Sequence, residues 1–132
     1  MNILKRLDKN LIIYGLGVAV VIFLFVFLLV GAQIGDEVKN QCQIAQNRYG
    51  GECVDALMKQ ISDESLQSGK NDAIWSLGQL GDKRALSFLE QYDNGQPLPN
   101  REPWNKGISQ YELRKAIKLI KSGFNISAFV WR

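Results

Sequence analysis

The chain has 132 residues, no histidine and a net charge of +3, two units of which come from its first nine residues. The rest of the chain carries 13 basic and 12 acidic side chains, so it lacks the basic face that nucleic-acid binding requires. Without histidine, the commonest general base and metal ligand are missing, and two cysteines cannot complete a zinc site. We therefore expect a non-enzymatic protein with no cofactor, no metal, no nucleic-acid partner and no small-molecule substrate.

Residues 11–32 form an uncharged apolar segment, LIIYGLGVAVVIFLFVFLLVGA. About 20 apolar residues in a helix span the roughly 30 Å hydrocarbon core of a bilayer, so we predict a transmembrane helix here, after an N-terminal flank at 1–10. Three basic residues precede the segment, Lys5, Arg6 and Lys9, whereas acidic residues follow it. The positive-inside rule then predicts a cytoplasmic N-terminus and an exported domain at 33–132, in the periplasm or outside the cell.

A cleavable signal peptide is the alternative interpretation of this segment. The small residues that end it permit cleavage after Ala32. The apolar run is longer than the 7–15 residues typical of a signal peptide, which favours an uncleaved signal anchor. Both interpretations export the domain.

Helical periodicity continues through the exported part, which predicts an all-α domain of about five helices. Asp36 is expected to cap the first of them, and Ser109 with Glu112 forms a capping box at the last. The apolar tail from Phe124 onward is expected to fold back over that last helix. The predicted helices span residues 36–49, 52–61, 71–80, 82–92 and 109–122.

Cys42 and Cys53 are the only cysteines, and both lie in the exported part. An even pair in an oxidising compartment commonly forms a disulfide. The spacing is not that of a redox-active C-x-x-C motif, so we predict a structural bridge.

Residues 73–86, AIWSLGQLGDKRAL, contain a helix–turn–helix signal. Gly81 can adopt the left-handed conformation that ends a helix, and Asp82 can cap the next one. The segment resembles the HEAT repeat in its short bacterial form, which also occurs in phycobilisome-lyase-like proteins. The resemblance implies a fragment of an α-solenoid built from antiparallel helical hairpins, with Gly81 and Asp82 at the repeat turn. Residues 36–62 resemble a divergent preceding hairpin, and 109–122 the first helix of a following one.

Residues 93–108 interrupt the periodicity with three prolines and two glycines. Loops of this length are uncommon in compact domains and are often functional. We predict that this loop and the exposed face of helix 109–122 contact a partner protein. The candidate contact residues are Arg101, Trp104, Tyr111, Lys115 and Lys118.

Stacked helical hairpins offer an extended surface, so we expect a non-catalytic scaffold for a protein partner. Two alternatives stay open. The first is an accessory subunit of a membrane complex that acts through its transmembrane helix. The second is a lyase-like enzyme, which the absence of histidine disfavours.

Overall fold

The computed structural model describes residues 9–66, 68–99, 102 and 107–132. All regular structure within these ranges is helical, which confirms the all-α fold class. A short 3-10 turn at Lys83–Ala85 leads directly into α4. The six α-helices are α1 Lys9–Tyr49, α2 Cys53–Ser62, α3 Lys70–Leu80, α4 Leu86–Glu90, α5 Gln110–Ser122 and α6 Ala128–Trp131.

Helix α1 is one continuous helix of 41 residues. By length and composition it can cross a membrane. It also runs through Ala32 into the segment predicted as a separate helix, so Asp36 lies in its interior and does not cap it. The expected start at Asp36 was wrong because a capping residue begins a helix only where the preceding residues leave the helical conformation.

The core lies among α2, α3, α4 and α5, with a narrow stripe of α1 against it. The predicted apolar faces of the helices supply it, and burying each large side chain contributes about 2 kcal/mol. Helices α3 and α5 approach most closely at Gly78, where an added Cβ would lie 2.8 Å from the Cα of Ala116. The largest fully buried side chains are Val38, Leu57, Ile61, Ile74, Leu77, Leu89, Leu113 and Ile120.

The turn between α3 and α4 has the predicted chemistry. Gly81 ends α3 with φ 66°, in the left-handed region. The Asp82 side chain accepts a hydrogen bond of 2.9 Å from the backbone N–H of Arg84. Because the 3-10 turn occupies the first residues after Asp82, α4 is shorter than the predicted 82–92 helix.

Helix α2 is tied to α1 at both of its ends. Cys42 and Cys53 are disulfide-bonded, with their Cα atoms 5.0 Å apart. Beyond the other end of α2, the Tyr49 hydroxyl donates a hydrogen bond of 2.6 Å to Asp63. An antiparallel α2 would begin beside Cys42 and run towards the start of α1, which would place Asp63 far from Tyr49 along the helix axis. The two links therefore exclude an antiparallel arrangement of α1 and α2. The arrangement differs from the hairpin that the resemblance implies for residues 36–62.

The C-terminal segment packs on α1 and the end of α3, not over α5 as expected. Val130 and Trp131 of α6 lie against Gly31 and Gly35 of α1, where any side chain would collide with them. Arg132 donates hydrogen bonds to the last carbonyls of α3, where a cation is favoured by the helix dipole. Small residues on α1 therefore allow a contact that apolarity alone did not predict.

Candidate functional site

An open groove of about 870 Å³ lies among α1, α3, α5 and the loop that precedes α5. Its volume is within the range of ligand and side-chain binding clefts. The groove joins elements that are far apart in sequence, and it contains Tyr111 and Lys115, two of the predicted contact residues. The lining residues are Glu37, Asn71, Asp72, Trp75, Leu98, Pro99, Glu102, Ser109, Tyr111, Glu112 and Lys115.

The start of α5 forms one wall of the groove and is held by two caps. The Ser109 hydroxyl accepts a hydrogen bond of 3.2 Å from the backbone N–H of Glu112, as the capping box predicts. The Glu102 carboxylate accepts from the backbone N–H groups of Gln110 and Tyr111, at 3.0 and 3.3 Å. A carboxylate here satisfies free N–H groups and complements the helix dipole.

Glu102 is fixed as an anion. The Ser109 hydroxyl donates a hydrogen bond of 2.5 Å to it. This bond, together with those from the backbone N–H groups of Tyr111 and Gln110, holds the pKa of Glu102 below its ordinary value. The carboxylate is therefore ionised at neutral pH.

Asn71 connects this wall to α3. Its side-chain oxygen accepts a hydrogen bond of 2.8 Å from the backbone N–H of Ser109. Its side-chain nitrogen donates to the carbonyl of Gly107, at 3.2 Å. The bonds fix the spacing between the two helices that flank the groove.

The first part of the loop is fastened by two side chains of α5. Arg114 donates to Asp93 at 3.0 Å and to the carbonyl of Gln96 at 2.6 Å. Gln110 donates to the carbonyl of Tyr92 and accepts from the backbone N–H of Asn94. Arg114 therefore holds the first part of the loop against α5.

The charged residues of the groove are mostly acidic. Among the described residues that line it, four carry a carboxylate, and one cation, Lys115, accompanies them. Lys115 lies 3.8 Å from Glu112 and 5.6 Å from the centre of the Tyr111 ring, so part of its charge is already compensated. The groove is consequently attractive to positively charged groups.

Two aromatic rings give the groove its apolar surface. Trp75 is half-buried, and Tyr111 is 54% exposed. Leu98 of the loop adds an exposed aliphatic side chain. Trp75 adjoins the buried stripe of α3 and also lines the groove. Aromatic faces beside carboxylates suit guanidinium groups, which can stack and form ion pairs at once.

Among the described residues, the predicted contact residue Lys118 does not line the groove. Lys118 is exposed on α5 about one turn beyond Lys115. Arg101 and Trp104 lie outside the described residues. Sequence reasoning missed Glu37, Asp72 and Glu102, and only Glu102 had a signal, its place in the loop singled out as functional.

Among the described residues, no group of three or more His, Cys, Asp or Glu side chains is placed to hold a metal ion. The disulfide occupies both thiols of the chain. The carboxylates, amide groups and aromatic rings that line the groove can form ion pairs, hydrogen bonds and apolar contacts.

No protein family, characterised protein or solved structure matches the chain. The resemblance of residues 73–86 to the HEAT repeat stays a prediction that rests on those residues alone.

Proposed function

We propose that this chain is a membrane-anchored, non-catalytic helical-repeat protein that holds a partner protein on the non-cytoplasmic side of the membrane. The partner binds in the groove through a basic, Arg- or Lys-containing segment. The carrying observation is the composition of the groove, which combines four carboxylates with the rings of Trp75 and Tyr111.

Charge and shape favour a polypeptide segment as the occupant. The groove is open at the surface, so an extended chain can lie along it. A partner cation close to Asp72 and Glu112 gains from both carboxylates in a partly desolvated site. Tryptophan, tyrosine and arginine are also the residues that contribute most of the binding energy at protein interfaces.

The groove lies close to the membrane. Glu37 lines it and follows Ala32 by only five residues, roughly 8 Å along the helix. Because α1 is unbroken between these residues, the groove has a fixed height above the end of the apolar segment. A partner protein that carries a basic segment next to the membrane can therefore place that segment in the groove.

Two features support the exported location, and a third supports the uncleaved anchor. The basic residues Lys5, Arg6 and Lys9 precede the apolar segment. The disulfide between Cys42 and Cys53 suits an oxidising compartment. The contact of Gly31 with Val130 also favours an uncleaved anchor, because cleavage after Ala32 would remove part of the surface on which α6 packs.

The test is photo-crosslinking in native membranes, with a photoreactive amino acid at Tyr111 and a matched control at Ser87, which is exposed on α4 and outside the groove. We expect one dominant partner at position 111 and none at 87, with the crosslinked peptide rich in Lys or Arg. Capture should fall when Asp72→Asn and Glu112→Gln remove two of the carboxylates. The Glu112 side chain makes no capping bond, so this change leaves the cap of α5 intact.

Two results would overturn the proposal. The first is capture at position 111 that does not depend on the two carboxylates. The second is absence of capture at 111 together with capture by the same photoreactive residue at Leu24 in the apolar half of α1, which would favour the accessory-subunit alternative.

A further inference from the structure

Three large apolar side chains of the C-terminal segment are exposed. Phe124 is 62% exposed, Ile126 is 59% exposed and Phe129 is 81% exposed. The Phe124 and Phe129 rings contact each other edge to face, with centroids 6.3 Å apart. The three side chains are referred to below as the C-terminal patch.

The C-terminal patch lies at the level where the apolar half of α1 ends. Val130, the neighbour of Phe129, packs on Gly31, one residue before the end of the apolar segment. Trp131 packs on Gly35, one turn further along α1. Phe129 of the patch thus adjoins, through Val130, the apolar surface that α1 exposes from Leu11 to Val30.

The segment that carries the patch is held firmly. Asn125 donates a hydrogen bond of 2.7 Å to the side-chain oxygen of Gln79, and the Ser127 hydroxyl donates one of the same length to Asn125. Arg132 bonds the carbonyls of Gln79 and Leu80. The polar side chains bond to α3, Val130 and Trp131 pack on α1, and the three side chains of the patch are left exposed.

We propose that the C-terminal patch inserts into the interfacial region of the same leaflet in which α1 ends, as a second membrane contact of this chain. Exposed phenylalanine and isoleucine side chains on a short segment beside a membrane are the kind that enter the headgroup–acyl boundary. The position of Phe129 beside α1 determines the occupant, since a bilayer that surrounds the apolar half of α1 must end beside Phe129. The two contacts together fix the domain, and the groove with it, relative to the membrane plane.

The test uses the full chain in phosphatidylcholine–phosphatidylglycerol vesicles, with a benzophenone side chain at Phe129 or Ile126. The matched control is Ile44, which is 49% exposed on α1 and lies thirteen residues beyond Gly31, roughly 20 Å further along the helix. A benzophenone at Leu24 serves as the positive control. Lipid adducts are quantified by mass spectrometry, and circular dichroism with intact disulfide confirms folding of each variant.

We expect phospholipid adducts at 129 and 126 in yields several-fold above that at 44 and comparable with that at 24. Yields at 129 and 126 equal to the yield at 44, in folded protein, would overturn the proposal. Adducts at 129 to a second copy of the chain in place of lipid would also overturn it, and would identify the patch as a protein interface.

Discussion

The two halves of α1 belong to one helix but differ in the burial and polarity of their side chains. From Leu11 to Val30 none of the side chains is buried, and apolar residues surround the helix on every side. Beyond that point only a stripe at helical spacing is buried, and the other faces are polar. The buried residues of the stripe are Gly31, Gly35, Val38 and Ala45.

The comparison shows that each half is matched to its surroundings. An all-round apolar surface suits hydrocarbon, whereas a narrow stripe suits contact with a small domain in water. The change occurs at Gly31 and Gly35, where α6 comes close enough to exclude side chains. The helix itself continues unbroken through the change.

The largest contrast is expected between buried leucines and leucines of the apolar half. Leu77→Ala removes a fully buried side chain and should lower the free energy of unfolding of the domain by about 2–5 kcal/mol. Leu24→Ala, at a side chain that is 52% exposed in the apolar half, should leave the free energy of unfolding of the domain unchanged. Chemical denaturation in nanodiscs, followed by circular dichroism, compares the two. Equal losses would contradict the separation of the two halves.

Removal of the disulfide tests the half of α1 beyond Val30, which carries the buried stripe. Cys42→Ser with Cys53→Ser opens a bridge with a sequence separation of 11 and should cost about 2–3 kcal/mol through the entropy of the unfolded chain. The helical signal of the apolar half should persist. A domain that unfolds at the same denaturant concentration with and without the bridge would show that α2 is held to α1 by other contacts alone.

Alanine substitutions at two glycines, one in each half of α1, should have different effects on stability. Gly35→Ala places a methyl group against Trp131 and should destabilise the packing of α6 by about 1–3 kcal/mol. Gly17→Ala has no neighbouring atoms within 4 Å and improves helix propensity, so it should be neutral or favourable. Hydrogen exchange of residues 124–132 measures the effect. Unchanged protection in the Gly35 variant would contradict the packing of α6 on α1.

The smallest expected effect is a pH dependence at the end of α1. Hydrogen bonds from Ser65 and Tyr49 lower the pKa of Asp63 to about 2 from an ordinary value of 3.8. Folding thus favours the ionised form, and this stabilisation is complete above about pH 4 and lost as the pH falls towards 2. The difference in Tm between the native chain and Asp63→Asn should therefore shrink over that range. A difference that stays constant from pH 5 to 2 would exclude this role for Asp63.

Features determined by local sequence could be predicted well. The stripe of α5, the left-handed Gly81 and the caps at Asp82 and Ser109 depend on residues within one or two helical turns. That α1 contains a stretch long and apolar enough to cross a membrane follows from composition alone. These features agree with the structure because nearby residues supply most of their free energy.

Features that depend on distant parts of the chain could not be predicted. Glu102 caps α5 from the preceding loop, and Glu37 reaches the groove from a helix more than 30 residues before the next lining residue. The spacing Gly31-x-x-x-Gly35 was a weak indication that another element packs closely on α1. The spacing does not indicate which element this is. Two lining residues of the groove, Tyr111 and Lys115, were predicted as contact residues, whereas its acidic residues were not.

The most direct test of the account is the intact mass of the protein extracted from its native membrane without reductant. The account predicts a species that retains the segment Leu11–Ala32 and lacks two hydrogens because of the bond between Cys42 and Cys53. A species that begins at Gln33 would contradict it. Such a species would lack the anchor and the contact of Val130 with Gly31, and its groove would have no fixed height above the membrane.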